Sequence, residues 1–422
     1  MIDGPAVIAA LRETDERCGG RREAWTDVWA AEREELDAHA RRAAGDAGLI
    51  VERDAFANTW YVLPGGRPGT VLVASHSDCV PGGGWLDGIL GVHAGLGVLA
   101  GLAGADRRAA PGGSGAENRG LDDRFPPPAT ADRRTLAVVD WADEEGTRFG
   151  RSLLGSAAAT GVLTRSELAA LTAADGTPAP ELVARYGFDP GALGERSPRL
   201  ADVLAAVELH IEQGPVLERE RRSVAAVAGC LGVRRRRMTF TGTAGHAGAL
   251  PMPDRRDPAR AAARFIAEIM DAAEERDGLA TVGELATEPA FITAVPALCR
   301  ASLDVRHADI DQLEALDAHV TALLDESRCE ADWTEVYRED PVDFDPQLIE
   351  AAREVAGGGV PLRSGPLHDS ASLARAGVRT VMLFAPSVAG VSHARAEDTA
   401  EPDLLAALDA LGRLVARLLT DA

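Results

Sequence analysis

The sequence is short of cysteine, of long apolar runs and of positive charge, and each shortage excludes something. Its five cysteines (18, 79, 230, 299 and 329) are scattered and odd in number. That argues against a disulfide framework and for a reducing compartment, with the cytoplasm as the default location. No window approaches the roughly 18 uninterrupted apolar residues of a membrane span, so no membrane partner is expected. The start, Met1-Ile2-Asp3-Gly4-Pro5, has no basic segment ahead of an apolar core, and no secretory signal is read there. Lys and Arg total 44 against 66 Asp and Glu, a formal charge of −22. Phosphate backbones would be repelled, which excludes non-specific nucleic-acid binding. The basic run Arg234 to Arg237 reads as a solvated strand face. What is present is 46% hydrophobic residue over 422 positions, enough for two domains with a core each.

One stretch organises the rest. Val71 to Val80 begins as a run of aliphatic residues that reads as a buried strand, and it ends in His76 and Asp78, with Asp87 following among glycines. Polar groups at a strand's carboxyl end lie where open α/β sheets bind ligands. Taken alone, such a His-x-Asp is a strand followed by a polar loop. The pattern recurs, however. Thr135 to Ala142 is a second buried strand delivering Asp143-Glu144-Glu145-Gly146, and Ala205 to Leu209 a third delivering His210, with Gln213 and Gly214 just after. Val378 to Pro386 reads as a fourth, leading to Ser392-His393.

Around these strands the chain is ordered simply. Residues 5 to 48 carry helical signatures, Val51 to Val62 a strand-turn pattern, and Gly88 to Leu102 a helix of small residues suited to tight packing on a sheet. Gly104 to Asp132 is rich in Gly, Pro, Arg and Asp and reads as a surface insertion. Thr164 to Glu167 fits a capping box. Between 218 and 328 the texture changes: Ser223–Gly229, Arg234–Gly242, Ala280–Glu288 and Ala297–Arg306 read as strands, and 258–275 and 309–326 as helices. The expectation is an α/β catalytic domain over 1–217 and 329–422, with a mixed, mostly parallel sheet flanked by helices, interrupted by a smaller α+β domain over 218–328. Helices at Pro346–Val355 and Glu401–Leu419 complete the larger domain.

His76, Asp87, Glu145, His210 and His393 form the ligand set of a two-metal hydrolase, in which one carboxylate is shared between ions about 3.5 to 4 Å apart. Asp87 is the expected bridge, with His76 and His210 on one ion and Glu145 and His393 on the other. Zinc or manganese, with cobalt or nickel as further options, tolerates such a mixed nitrogen and oxygen set.

The motifs Ser75-His76-Ser77-Asp78, Gly83-Gly84-Trp85-Leu86-Asp87-Gly88, Glu144-Glu145-Gly146-Thr147-Arg148-Phe149-Gly150 and Glu208-Leu209-His210-Ile211-Glu212-Gln213-Gly214 resemble the M20 metallopeptidase superfamily, within it the hydantoinase/carbamoylase amidases. Gly245-His246-Ala247-Gly248, Asp304-Val305-Arg306, His368-Asp369 and Ser392-His393 extend the resemblance over nearly the whole chain. Arg148-Phe149-Gly150 and a histidine at 210 point to the amidases over the peptidases. The resemblance implies that residues 218–328 form a lid and a homodimer interface. It implies Glu144 as general base, Asp78 as the acid orienting His76, and His246 as the lid histidine that stabilises an oxyanion in the neighbouring subunit's site. Gln213, Arg306 and His368 match substrate-holding positions, Arg306 being suited to pair a carboxylate bidentately. Two positions depart from the pattern. Cys79 replaces a usual threonine, placing a thiol by the metals, and Thr293 stands where a substrate-binding asparagine is usual. The expected reaction is hydrolysis of an N-carbamoyl-L-amino acid to amino acid, carbon dioxide and ammonia. Allantoate, ureidoglycolate or β-ureidopropionate amidohydrolysis is the nearest alternative, ahead of an aminopeptidase, a deacylase or a non-catalytic binder.

Overall fold

A computed structural model of the chain describes residues 2–45, 47–109, 130–325 and 329–421. The chain forms two compact units, one comprising Met1–Gly229, Phe344–Leu362 and His368–Ala422, the other Cys230–Asp343 and Arg363–Leu367. Its helices are α1 (Gly4–Cys18), α2 (Asp27–Ala44), α3 (Ile89–Ala109), α4 (Leu154–Ala159), α5 (Arg165–Ala170), α6 (Ala179–Ala184), α7 (Val216–Glu220), α8 (Pro258–Glu274), α9 (Ile310–Asp325), α10 (Pro346–Val355), α11 (Asp369–Arg375) and α12 (Glu401–Thr420).

The larger unit is built on the strands β1 (Ile50–Arg53), β2 (Thr59–Leu63), β3 (Arg67–His76), β4 (Arg134–Trp141), β5 (Val203–Ile211), β6 (Ala225–Cys230) and β16 (Thr380–Ala385). They lie in the order β1-β2-β4-β3-β5-β16-β6. The central four, β4-β3-β5-β16, are parallel, and β2, β1 and β6 add antiparallel edges, so the sheet is mixed with a parallel centre. Side chains alternate across the pleat as a period of two demands. Val71, Val73, Val207, Leu209 and Val381 enter a core shared with α1, α3, α10 and α12, while Leu72, Ala74, Val139 and Trp141 face the opposite core with Trp25, Trp29 and α4 to α6. Helix α3 lies close on the sheet because it carries glycine where it touches: a Cβ on Gly91 would come within 2.6 Å of the Leu209 carbonyl and of Ser75. By length and composition Ile89–Asp106 could cross a membrane, but 67% of it is buried within the protein, as befits a core helix. The expected capping box at Thr164 is formed: its hydroxyl accepts from the Glu167 amide, and the Glu167 carboxylate accepts from the Thr164 amide.

The smaller unit contains β7 (Gly232–Thr241), β8 (Gly245–His246), β9 (Leu279–Thr281), β10 (Leu285–Glu288), β11 (Ala294–Val295), β12 (Leu298–His307) and β13 (Glu330–Glu339), and two short strands, β14 (Val342–Asp343) and β15 (Leu362–Ser364), lie where the chain passes between units. Antiparallel strands run β10-β12-β7-β13, with β9 also on β12. Helices α8 and α9 cover one face, burying Phe265, Ile269, Leu313, Leu316 and Val320 against Phe240, Leu303 and Val305.

Three expectations are corrected. The smaller unit spans 230–343, not 218–328, because the strand read at 223–229 pairs with β16 in the larger sheet, and because β13, whose polar sequence hid it, pairs with β7. The stretch read as one strand over 280–288 is two, β9 and β10. The run Arg234–Arg237 is a solvated face only in part: Arg237 is exposed and Arg235 partly so, but Arg234 and Arg236 are 2% and 3% exposed. Arg234 pairs with Glu314 at 2.6 Å and Asp340 at 2.7 Å, and Arg236 pairs with Asp317 and lies 3.8 Å over Trp333. Their strand is central, and α9 supplies Glu314 and Asp317 while the turn after β13 supplies Asp340, so burial and charge pairing coincide. Of the insertion read at 104–132, residues 104–109 continue α3 and 110–129 lie outside the described residues.

Candidate metal centre

The four parallel strands end side by side, and their carboxyl ends supply the site: His76 from β3, Glu144 and Glu145 after β4, His210 from β5, and Ser392 and His393 in the loop after β16. Asp87 arrives on the loop ahead of α3. That loop needs Gly88, which has φ +67° and whose Cβ would come 2.2 Å from the His76 ring.

Two groups of potential ligand atoms result. His76, Asp87 and His210 have ligand atoms within 4.8 Å of one another, and so do Asp87, Glu145 and His393. Asp87 belongs to both. Its Oδ1 lies 3.0 Å from His210 Nε2 and its Oδ2 3.0 Å from His393 Nε2, while His393 Nε2 is 3.5 Å from Glu145 Oε2. Ligand atoms bound tetrahedrally to zinc at about 2.0–2.1 Å stand about 3.3 Å apart, so these spacings fit a divalent cation.

Hydrogen bonds orient the imidazoles the same way. His210 Nδ1 faces the Ile211 carbonyl at 2.9 Å and His76 Nδ1 the Asp78 carbonyl at 3.1 Å, so each Nδ1 carries the proton and each Nε2 turns a lone pair inward. Asp78 was expected to orient His76 through its carboxylate. The carboxylate is 3.6 Å from Nδ1, and its two oxygens instead accept the amides of Glu144 and Glu145 at 3.2 Å each. It therefore couples the β3 and β4 loops. Gln213 Nε2 donates to Asp87 Oδ2 at 3.0 Å and lies 3.3 Å from His393 Nε2. The His368 ring packs on His210, centroids 4.4 Å apart. Gln213, His393 and Asp143 all have left-handed backbone, φ +57°, +55° and +59°, a strain of order 1–3 kcal/mol each that clusters at functional sites.

The electrostatics call for a cation. Glu144 is 7% exposed, and burial, with Glu145 and other acids nearby, raises its pKa well above the usual carboxylate range even against the opposing pull of His76. Burial and the Asp87 charge push Glu145 up to about 7. The hydrogen bond to Asp87, outweighing burial, raises His393 to about 9. Burial opposes the charged form of Asp87, but His210 and His393 hold it well below its ordinary value. Glu145 Oε1 is buried without a hydrogen-bond partner among the described residues. A crowd of desolvated carboxylates with inward-facing imidazole lone pairs is the donor set of a divalent metal. The chain has no lysine, so carboxylates and imidazoles are the available proton carriers. Cys79, the thiol expected by the metals, is 1% exposed, and burial pushes it up to about 11.

The remaining site residues read from the sequence belong to the smaller unit. His246 and Thr293 are both exposed there and adjacent, since β8 pairs with β11 and the Thr293 carbonyl accepts the Ala247 amide at 2.9 Å. Arg306 uses three of its five N–H groups, two on Asp304 at 2.8 and 3.0 Å and one on the Gly365 carbonyl at 2.8 Å, leaving two without a partner among the described residues.

One residue escaped the sequence reading. Glu397 is 2% exposed; its Oε1 accepts the Leu86 and Asp87 amides, each at 3.0 Å, and its Oε2 faces Ser392 Oγ at 3.0 Å. It joins the loop of the shared carboxylate to the loop of His393. An acid four residues after a histidine in a polar loop carries no periodic signal, so only burial reveals it.

Residues 72–417 match the peptidase family M20/M25/M40. The chain is 33% identical to an N-carbamoyl-L-amino-acid amidohydrolase of Paenarthrobacter aurescens, covering 92% of this chain and 90% of that one. It is 31% identical to the allantoate amidohydrolase of Bacillus subtilis, covering 93% and 90%. Among solved structures it superposes on a hydantoinase/carbamoylase family amidase from Burkholderia multivorans with TM-score 0.84 and 29% identity, covering 100% and 98%. A metal-dependent hydrolase family and a fitting donor set thus agree: the chain belongs to the M20/M25/M40 peptidase family and, within it, to the carbamoylase and allantoate amidohydrolases, which cleave C–N bonds other than peptide bonds.

Proposed function

We propose that the protein hydrolyses an N-carbamoyl-L-amino acid, using one water to give the amino acid, carbon dioxide and ammonia, at two divalent ions held by His76, Asp87 and His210 and by Asp87, Glu145 and His393. The observation that carries this reading is the position of Asp87, 3.0 Å from a histidine on either side and common to both groups. Ions bound there, zinc or manganese with cobalt or nickel as options, would lower the pKa of a water and polarise the ureido carbonyl. Glu144, the buried carboxylate 3.8 Å from His76 Nε2, accepts the water's proton and returns it to the leaving nitrogen. Its pKa, raised by burial and the neighbouring acids, suits a group that must hold a proton as well as release it. Asp78 keeps the Glu144 and Glu145 amides in place. Gln213 and His368 bound the substrate's side of the site, and the two uncommitted N–H groups of Arg306 receive a substrate carboxylate. His246 donates to the oxyanion and Thr293 shapes the pocket beside it. In this reading the smaller unit is a lid and a homodimer interface, and the enzyme works in the cytoplasm.

Allantoate is the second reading, favoured by the identity to the Bacillus subtilis enzyme. Ammonia release from N-carbamoyl-L-amino acids, allantoate and β-ureidopropionate, before and after chelation and metal return, tests both. Metal-dependent release from an N-carbamoyl-L-amino acid is the expected result, and release from allantoate alone would replace the first reading with the second.

A further inference from the structure

His246 ends β8, which pairs antiparallel with β11 so that His246 stands opposite Ala294. Its ring is exposed, yet one ring nitrogen is engaged: the Gly248 N–H points at Nδ1 at 3.1 Å. A backbone amide only donates, so Nδ1 presents its lone pair, and the neutral ring then carries its proton on Nε2. The turn that aims this amide is itself pinned. The Leu250 and Ala249 amides donate to the His246 carbonyl at 3.1 and 3.2 Å. Arg255 braces the same turn, its Nε donating to the Leu250 carbonyl at 3.0 Å and its Nη2 to the Ala247 carbonyl at 2.6 Å. One guanidinium thus spans the two sides of the turn that contains Gly248. Two independent anchors, the β8–β11 pair and the Arg255 fork, hold the ring's backbone and the amide that fixes its tautomer.

We infer that Arg255 is a positioning residue that, through the Gly248 amide, presents His246 as an Nε2–H donor. This rests on the reading of His246 as the oxyanion donor. A preset proton matters there because a donor already aimed at the developing charge needs no rearrangement during the reaction, whereas a ring with a lone pair on Nε2 would repel a negative oxygen. The assignment also separates the chain's histidines by role: His76 and His210 carry Nδ1 protons and offer Nε2 lone pairs, while His246 has the opposite tautomer.

The test uses the full, metal-loaded chain labelled with 15N-histidine, with the His246 signals found by difference against His246→Ala. The expected spectrum has an unprotonated Nδ1 and a protonated Nε2; a protonated Nδ1 overturns the inference. In kinetics, Arg255→Gln should lower kcat about tenfold or more with KM within about threefold, since a small misplacement of a catalytic group costs on that order. Arg255→Lys, able to reach one carbonyl of the two, should recover part of the loss. In the His246→Ala background Arg255→Gln should cost no more than about twofold. An equal loss in both backgrounds overturns the positioning role. Unchanged kcat in His246→Ala removes the oxyanion reading instead, and the tautomer is then decided by the spectrum alone.

Discussion

His76 and His210 are each 1% exposed, whereas His246 and Thr293 stand at the surface of the smaller unit. The larger unit fixes most of its site residues by burial: His76, Asp87 and His210 are packed and hydrogen-bonded, whereas His393, in a loop with left-handed backbone like that of Asp143 and Gln213, is exposed and held through Asp87. The smaller unit holds His246 and Thr293 by main-chain bonds and leaves their side chains open, while its half-buried Arg306 is fixed by Asp304 and the Gly365 carbonyl. Groups of the first kind suit metal binding, which needs desolvation and fixed geometry; groups of the second kind suit contact with a substrate that arrives later.

The largest effect that could break this contrast is at Glu144. Glu144→Gln should cost about 1,000-fold in kcat, within the range for loss of a general acid-base group, while metal content by elemental analysis stays at the wild-type level. Activity like wild type would remove Glu144 from the chemistry. Next comes Glu397, which is no expected ligand itself but accepts the Asp87 amide and joins the Asp87 and His393 loops. Glu397→Gln keeps one acceptor yet places an amide against the Leu86 and Asp87 N–H groups or against Ser392. Metal affinity measured by calorimetry should fall about 10- to 100-fold, the usual cost of losing a residue that orients ligands. Unchanged affinity would reduce Glu397 to loop packing.

The smaller unit offers the opposite test, a buried charge away from any ligand. Arg236→Ala leaves Asp317 with only the more distant Arg338, at 3.8 Å, and Trp333 without its stacked guanidinium, at a cost of up to about 3 kcal/mol. Trp333 is the one tryptophan of that unit, so its fluorescence in urea reports the loss. Metal affinity of the larger unit should be unchanged. A fall in metal affinity would show the two kinds of site residue to be less separate than their burial indicates.

The legible parts of the sequence were those with a period. Val71-Leu72-Val73-Ala74 and Val138-Val139 announce buried parallel strands because both faces are apolar, and a histidine or acid at the end of such a run is conspicuous. Three of the five candidate ligand positions, His76, Glu145 and His210, come from that signal and Asp87 and His393 from the loops beyond, and the structure brings them into two groups that share Asp87. What stayed hidden was set by partners distant in sequence. The strand β13, Glu-Ala-Asp-Trp-Thr-Glu-Val-Tyr-Arg-Glu, looks polar throughout and is a strand only because β7 pairs with it. The arginines of β7 read as solvated because their acids, Glu314 and Asp317, lie on a helix far along the chain. Ser223–Gly229 was read correctly as a strand but given to the wrong sheet, since pairing partners leave no local mark.

The smallest effect concerns a histidine in the larger unit that serves no site. His93 on α3 is 4% exposed, its Nε2 lies 3.2 Å from Thr14 Oγ1, and its ring is 6.0 Å from that of His39. Burial, with His39, Arg22 and Arg17 adding to it, lowers its pKa from 6.5 to about 3. The folded chain therefore keeps His93 neutral while the unfolded chain binds a proton below about pH 6.5. In the window between 6.5 and 3 the unfolded state holds more protons, so stability falls as pH falls, by about 1.4 kcal/mol per pH unit and about 2 kcal/mol by pH 5. Above pH 6.5 the residue contributes no pH dependence. His93→Gln can keep a hydrogen bond to Thr14 but cannot take up the proton, so its stability should decline more slowly between pH 6.5 and 5, by about one proton's worth of slope in urea titrations. Equal slopes would mean that His93 is protonated in the folded protein, and that the larger unit tolerates a buried charge outside its metal site as readily as within it.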